Sequence, residues 1–437
     1  MTCTLHSQLR QRQFEDMKSS ATPAAPQYPG CALVLAALAT LAGCASMGPS
    51  LTAATPEELG SQELQLGVRT VSPNGHFEVL PSSVVASRLE ARLGDQPMSV
   101  LALSGGGATG AFAAGALAGM SRAGVRAQPS VVTGVSAGAL VAPFAFLGPS
   151  WDAEMSAIYT DGVTRGVLQP RLLGAVFGSS VYSGAPLRRL IDRYADDQLI
   201  AAVAAQAERG RLLLVATTDF ATGEPVIWDL GSVALYGGPE AKQLFRTILL
   251  ASASVPGMLP PVKIRFPTGS GLREETHVDG GVTVPFFIAP ALDDLPSSRP
   301  EDRIVRVRVV IDGRLRDFPH AANANALSIF SRSISAGLSR MTRTALESSL
   351  HASQRRGIAL EYAAIPADYP LHGAFNFDPQ EQRALFQYAA RCAETGRLWN
   401  GAPQGAAMAA VDPAAGSSGA VCPADDRFIG RFAALGK

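Results

Sequence analysis

Residues 99–146 read SVLALSGGGATGAFAAGALAGMSRAGVRAQPSVVTGVSAGALVAPFAF. Two short apolar runs stand out, 99–103 (SVLAL) and 130–133 (SVVT). Runs of that length and apolarity suit strands buried on both faces of a parallel sheet. Each leads into a glycine-containing turn and then an apolar helix. The first passes through Gly105-Gly106-Gly107-Ala108-Thr109-Gly110 into an Ala-rich helix ending near Ser121. The second passes through Gly134-Val135-Ser136-Ala137-Gly138 into a helix over 139–146. Strand, turn and helix twice in succession predict an α/β domain with a mainly parallel central sheet.

Working outward, 151–209 has helical character and is expected to form a cap. Residues 211–216 (RLLLVA) predict a further core strand, with 225–230 as its partner, and 242–251 a helix. A strand over 276–279 ends at Gly280-Gly281. Residues 304–311 (IVRVRVVI) and 357–365 predict late strands; 326–353 and 379–398 predict long helices. The expected organisation is a leader over 1–43, a lead-in or tether over 44–96, one α/β domain over 97–399, and a Gly/Ala-rich loose tail over 400–437. No internal repeat is visible.

The 437 residues are 47% hydrophobic and 17% charged, enough for a large core. Lys+Arg and Asp+Glu are both 37, so there is no basic excess of the kind a nucleic-acid binder carries. No cluster of His, Cys or acids has ligand spacing, so no metal site is expected, and no cofactor.

Residues 31–43 (CALVLAALATLAG) are apolar but too short for a membrane-spanning helix, and match the middle of a secretory leader. They end in Leu41-Ala42-Gly43-Cys44, which resembles a bacterial lipobox cut before a lipid-bearing Cys44. The sixteen residues before Met17 are long for such a leader, so Met17 is the expected start. Ala45, rather than Asp, follows the cysteine. By resemblance to bacterial lipoproteins this implies the cell envelope, at the outer membrane facing the periplasm. Cys392 and Cys422 then remain. In an oxidising compartment they either pair or stay as free thiols, and spacing does not decide.

G-x-S-x-G between a strand and a helix makes a sharp turn that lifts a serine hydroxyl clear of the backbone, with Gly134 and Gly138 allowing the crowding. Ser136 is therefore the candidate nucleophile; a Gly/Ser packing turn is the bland alternative. The loop Gly105–Gly110 fits either a dinucleotide cradle or a set of amides for an oxyanion. The dinucleotide reading needs an acid at the end of the second strand, where this chain has G-V-S-A-G instead.

A serine hydroxyl needs a base. Six histidines stand at 6, 76, 277, 320, 351 and 372. His277 lies near a strand end, and the others lack even that context. Asp279, at a strand end and followed by Gly280 and Gly281, is the better candidate. Burial would raise its basicity.

Residues 101–115, 134–138 and 279–281 stand in the order of the three motifs of patatin-like phospholipases, which this chain resembles over about 98–399. The Pro-rich block 251–262 (ASASVPGMLPPV), 215–223 (VATTDFATG) and 382–399 resemble further family segments. The resemblance implies a three-layer α/β/α fold and a Ser136–Asp279 dyad without histidine. It also implies an oxyanion loop of Gly105, Gly106 and Gly107. Two departures are Thr109, where many members carry Arg or Lys, and Val282-Thr283-Val284-Pro285, where many carry Asn before Pro. The implied activity is hydrolysis of a phospholipid or other fatty acyl ester at a membrane surface reached through the Cys44 anchor. The alternatives are a His-dependent α/β-hydrolase esterase, a lipid-binding scaffold with a vestigial dyad, and a dinucleotide-binding oxidoreductase.

Overall fold

A computed structural model describes residues 67–94, 96–171, 179–289, 306–316, 326–401, 420–426, 429 and 431. The leader, Cys44 and residues 402–419 of the tail lie outside the described residues.

The described chain enters through β1 (Val68–Val71), β2 (Phe77–Leu80) and α1 (Ser82–Leu93). β3 (Ser99–Leu103) runs through a 3-10 turn, Gly107–Gly110, into α2 (Ala111–Arg122), and β4 (Val131–Val135) into α3 (Ala137–Leu147). Next come α4 (Asp152–Thr160), the short pair β5 (Gln169–Pro170) and β6 (Tyr182–Ser183), α5 (Ala185–Tyr194) and α6 (Asp197–Glu208). β7 (Leu212–Asp219), β8 (Pro225–Asp229), α7 (Leu230–Tyr236) and α8 (Gly238–Ser252) follow. After them stand the hairpin β9 (Val262–Thr268) and β10 (Gly271–Asp279), then β11 (Arg306–Arg314), α9 (Ala326–Arg356), β12 (Ala359–Ile365) and α10 (Pro379–Glu394).

β12, β11, β3, β4 and β7 lie side by side in that order and are parallel. β8 joins β7 antiparallel, β1 joins β8, and β2 forms the edge. Side chains alternate across the sheet. Leu101, Leu103, Val132, Leu213 and Val215 pack into one apolar cluster with α2, α3 and α10. Val100, Ala102, Val131, Leu214 and Ala216 pack into another with residues of α1 and α9. Both faces are covered, which gives the α/β/α layering and explains why these strands read as unbroken apolar runs.

One register places the site. Leu214, Val215 and Ala216 of β7 carry β4 on one edge and β8 on the other. At Thr217 and Thr218 the β8 edge continues, while the other edge passes from β4 to β10. Val135 pairs with Ala216, and Asp279 pairs with the next residue, Thr217. The end of β4 and the end of β10 therefore meet head on along one edge.

The structure corrects four expectations. Residues 68–93 are not a tether, because β1 and β2 extend the main sheet; the α/β domain begins before residue 97. The strand ending at Asp279 is longer than 276–279. It starts at Gly271 and pairs with β9, and both strands carry an exposed charged face where Glu274 bridges Lys263 and Arg265. The tail is not loose throughout. Cys422 is bonded to Cys392 of α10, Asn400 donates to the Pro423 carbonyl at 2.8 Å, and Ile429 is buried. The cap, expected as helical, also contains the β5–β6 pair.

α2 and α10 touch through backbone. A methyl group added at Gly119 would lie 2.7 Å from the Ala390 Cα, and one at Gly115 would meet the Phe386 backbone. Backbone cannot yield as a flexible side chain can, so overpacking here is destabilising. Gly119→Leu is expected to lower unfolding free energy by about 1–3 kcal/mol, measured by urea titration. An unchanged midpoint would show that the two helices can separate freely.

Candidate active site

Ser136 sits between β4 and α3 with φ 54° and ψ −122°. Among the described residues it is the only non-glycine with positive φ. Such backbone costs of order 1–3 kcal/mol and survives only where its surroundings enforce it. The Ser136 N–H donates to Ser252 Oγ at 3.0 Å, and that hydroxyl donates to the Ala216 carbonyl at 2.7 Å. The Ser136 carbonyl accepts from Ala139 N–H at 2.9 Å, opening α3. The flanking glycines let strand and helix close on each other. A methyl group at Gly134 would lie 2.6 Å from the Gly138 carbonyl oxygen, and one at Gly138 2.5 Å from those of Leu103 and Ser104.

Asp279 arrives from β10. Its N–H donates to the Ser254 carbonyl at 2.9 Å, and its own carbonyl accepts from Thr218 Oγ1 at 2.9 Å. The side chain is then fixed at both oxygens. Ser136 Oγ donates to Oδ2 at 2.6 Å, and Gly281 N–H donates to Oδ1 at 2.7 Å. Gly280 lies against the Ala216 carbonyl, which a side chain would strike. Ser136 is 7% and Asp279 3% exposed. Burial pushes the Asp279 carboxyl up to about 7, against the two hydrogen bonds, which favour the ionised form.

The glycine loop lies beside Ser136; a methyl group at Gly105 would be 3.1 Å from the Ser136 Cβ. The three amides proposed for an oxyanion are not equivalent. Gly105 N–H donates to the Pro285 carbonyl at 3.1 Å, so it is removed from that set. The segment after Asp279-Gly280-Gly281 thus supplies its acceptor. Gly106 and Gly107 N–H have no acceptor among the described residues. The loop turns sharply at Gly107, whose φ of 61° favours glycine. Gly110, at the end of the 3-10 turn, comes within contact of Ala137 and Tyr159, where a side chain would intrude. Thr109, standing where a cation was noted as missing, turns its hydroxyl inward to the carbonyls of Gly106 and Asp312.

Asp312, at the end of β11, is the residue sequence reasoning missed. It is buried directly behind the loop; a methyl group at Gly106 would lie 2.5 Å from its Cβ. Its N–H donates to Ser104 Oγ at 2.8 Å, and its Oδ1 accepts from Ala113 N–H, in the first turn of α2, at 2.9 Å. Oδ2 has no partner among the described residues. Burial holds this carboxyl well above the usual carboxylate range. A strand-end acid after IVRVRVVI was the only sequence signal.

His277 is buried, with Nδ1 3.0 Å from Thr217 Oγ1 and Nε2 3.0 Å from Glu275 Oε2. Both ring nitrogens are engaged away from Ser136. A narrow apolar cavity of about 90 Å³ opens at Ser136 and Gly107 and is walled by Leu140, Phe144, Leu187, Leu259 and Phe377. Among the described residues no His, Cys, Asp and Glu group could hold a metal ion, and no helix is long and apolar enough to cross a membrane.

The class these features define is an α/β fold with a buried serine–aspartate pair at the carboxyl ends of its parallel strands. Residues 101–292 match the family model for patatin-like phospholipase. That match points to a lipid acyl hydrolase. The crystal structure of VipD from Legionella pneumophila is similar with a TM-score of 0.36 and 11% sequence identity, over 78% of this chain and 72% of that one. No curated protein matches the chain.

Two stability effects follow. The folded state holds the Asp279 proton to about pH 7, whereas an unfolded aspartate loses it near 3.8. Stability is therefore fullest below pH 3.8 and is lost as pH rises through 7, on the order of 4 kcal/mol in all. Asp279→Asn is expected to be the more stable protein at pH 8 and to lose that advantage toward pH 4, read from urea midpoints. Equal pH dependence of the two proteins would contradict a protonated buried Asp279. Asp312→Asn keeps an acceptor for Ala113 and no charge, so its stability should stay within about 1 kcal/mol of the parent at neutral pH. Asp312→Ala, which strands that amide, should cost about 1–3 kcal/mol.

Proposed function

We propose that this chain is a serine lipid acyl hydrolase, phospholipase A-like or esterase-like, that cleaves fatty acyl esters with a Ser136–Asp279 dyad. The observation that carries this is the 2.6 Å hydrogen bond between a hydroxyl on a strained turn and a buried carboxylate, at the mouth of an apolar cavity.

Ser136 Oγ attacks the ester carbonyl carbon as its proton passes to Asp279 Oδ2. The carbonyl oxygen becomes an oxyanion that the unengaged amides of Gly106 and Gly107 would receive. The carbon–oxygen bond to the alcohol breaks, and the leaving alkoxide takes the proton from Asp279. The acyl group stays on Ser136 with its chain in the cavity. Asp279 then removes a proton from water, which attacks the acyl carbon. Collapse of this second tetrahedral species returns the proton to Ser136 and releases the fatty acid. A carboxylate with its affinity raised to about 7 suits both directions of transfer near neutral pH.

The His-dependent esterase is disfavoured because His277 is held by Thr217 and Glu275. The vestigial scaffold is disfavoured by the intact contact between the two side chains. We further propose anchoring through lipid on Cys44 in the bacterial envelope. The bonded Cys392–Cys422 pair supports it, since such bonds persist in oxidising compartments.

A fluorophosphonate probe should label the parent protein at Ser136 and leave Ser136→Ala unlabelled. Asp279→Asn should fold but lose roughly a thousandfold in kcat on a short-chain ester. Normal ester cleavage by Ser136→Ala would sink the assignment. In the parent, kcat/KM should rise with pH through about 7 as Asp279 ionises, a profile readable by initial rates.

A further inference from the structure

The helix that roofs the apolar cavity has two unlike faces. Leu187, Leu190, Ile191 and Tyr194 of α5 line the cavity. At 100° per residue, Arg188, Arg189 and Arg193 fall on the opposite side, and all three are exposed. The preceding segment repeats this arrangement. Val167 and Leu168 line the cavity, while Arg165 and Arg171 are exposed. Arg171 N–H donates to the Val181 carbonyl at 2.9 Å, which places it beside β6, just before α5.

These arginines are unlike others on the surface. Arg246 and Lys242 share Asp197, Arg265 and Lys263 share Glu274, and Arg122 meets Glu394. Among the described residues, the side chains of Arg165, Arg171, Arg188 and Arg189 have no hydrogen-bond or ion-pair partner, and Arg193 rests over the Tyr194 ring at 5.3 Å. Residues 161–194 hold five arginines against Asp161 and Asp192, in a chain whose charges balance overall. The roof thus carries a local cationic surplus; α9 carries another, five arginines against Glu347, but α9 does not line the cavity.

We propose that this arginine face docks on an anionic phospholipid surface, with the acyl cavity held just beneath it, so that anionic phospholipids in a bilayer are the favoured substrates. The substrate part rests on the acyl-hydrolase reading above; the docking part does not. A guanidinium pairs with phosphate in bidentate fashion, and a bilayer presents many phosphates in one plane, matching several arginines on one exposed face. The apolar side of the same helix then meets the acyl chain as it leaves the surface. One helix thus sorts head group from tail.

The test separates binding from turnover. Full-length protein carrying Cys44→Ser, so that no lipid anchor contributes, and Ser136→Ala, so that nothing is consumed, is sedimented with two kinds of vesicle. These are pure phosphatidylcholine and phosphatidylcholine with about 30% phosphatidylglycerol, the second supplying the negative surface potential. Binding to the anionic vesicles only, lost on raising salt, is expected. Arg188→Gln/Arg189→Gln/Arg193→Gln should lower the bound fraction roughly tenfold. With Ser136 restored, that variant should keep short-chain ester cleavage within about twofold yet lose roughly tenfold on anionic vesicles. Arg165→Gln/Arg171→Gln serves the same purpose should the triple variant not fold. Equal binding to both vesicles, undiminished binding by the variants, or binding to duplex DNA but not to vesicles would overturn the proposal. Charge-dependent vesicle binding by a protein that cleaves no ester would uphold docking and reject the hydrolase reading.

Discussion

One edge of β7 is divided between two strands, and the chemistry depends on that division. β4 occupies it as far as Ala216 and β10 takes it over from Thr217. The two strands run in opposite directions and stop against each other. Whatever follows Val135 must therefore meet whatever ends β10. Ser136 and Asp279 are 143 residues apart in the chain and touch because of a sheet register, before any property of their side chains is considered. Ser252 secures the junction by joining the Ser136 amide to the Ala216 carbonyl, at the last β7 residue paired with β4.

The meeting is unfavourable in isolation. It sets a serine in a backbone region rarely used by L-residues and removes a carboxylate from water. The protein offsets this with apolar packing on both faces of the parallel strands. It does not offset it with charge, since the hydrogen-bond donors to Asp279 are a hydroxyl and one amide. A cation placed there would draw the carboxyl down and weaken it as a base. A buried acid with two neutral donors can be both ordered and basic.

Much of this was legible in the residues. Parallel strands buried on both faces must be apolar throughout, so 99–103, 130–133 and 211–216 announced themselves, and glycines at forced close contacts marked the turns between strand and helix. Ser136 and Asp279 were legible for the same reason. What stayed hidden was paired through space. The first four residues of β10 are exposed in succession, so they show neither an apolar run nor a strand's alternation. β1 and β2 are four-residue strands at one side of the sheet, too short for a period to register. Gly105 could not be told from Gly106 and Gly107, because its acceptor, the Pro285 carbonyl, lies 180 residues away. Asp312 looked like an ordinary end to a strand.

The glycine loop shows how a mobile residue type becomes a fixed donor set. The Ala374 carbonyl accepts from Ala108 N–H, and Gln382 of α10 donates to the Ala108 carbonyl. Asp312 grips Thr109 and α2 from behind, and Pro285 takes Gly105. The amides of Gly105 and Ala108 are taken, and among the described residues those of Gly106 and Gly107 are left without an acceptor. α10 is itself fixed twice, by backbone contact with α2 at Gly115 and Gly119 and by the Cys392–Cys422 bond. That bond lies in the helix that braces the loop, so the covalent link and the proposed oxyanion donors belong to one rigid unit. Under the envelope location proposed above, this brace would persist, because disulfides survive in oxidising compartments.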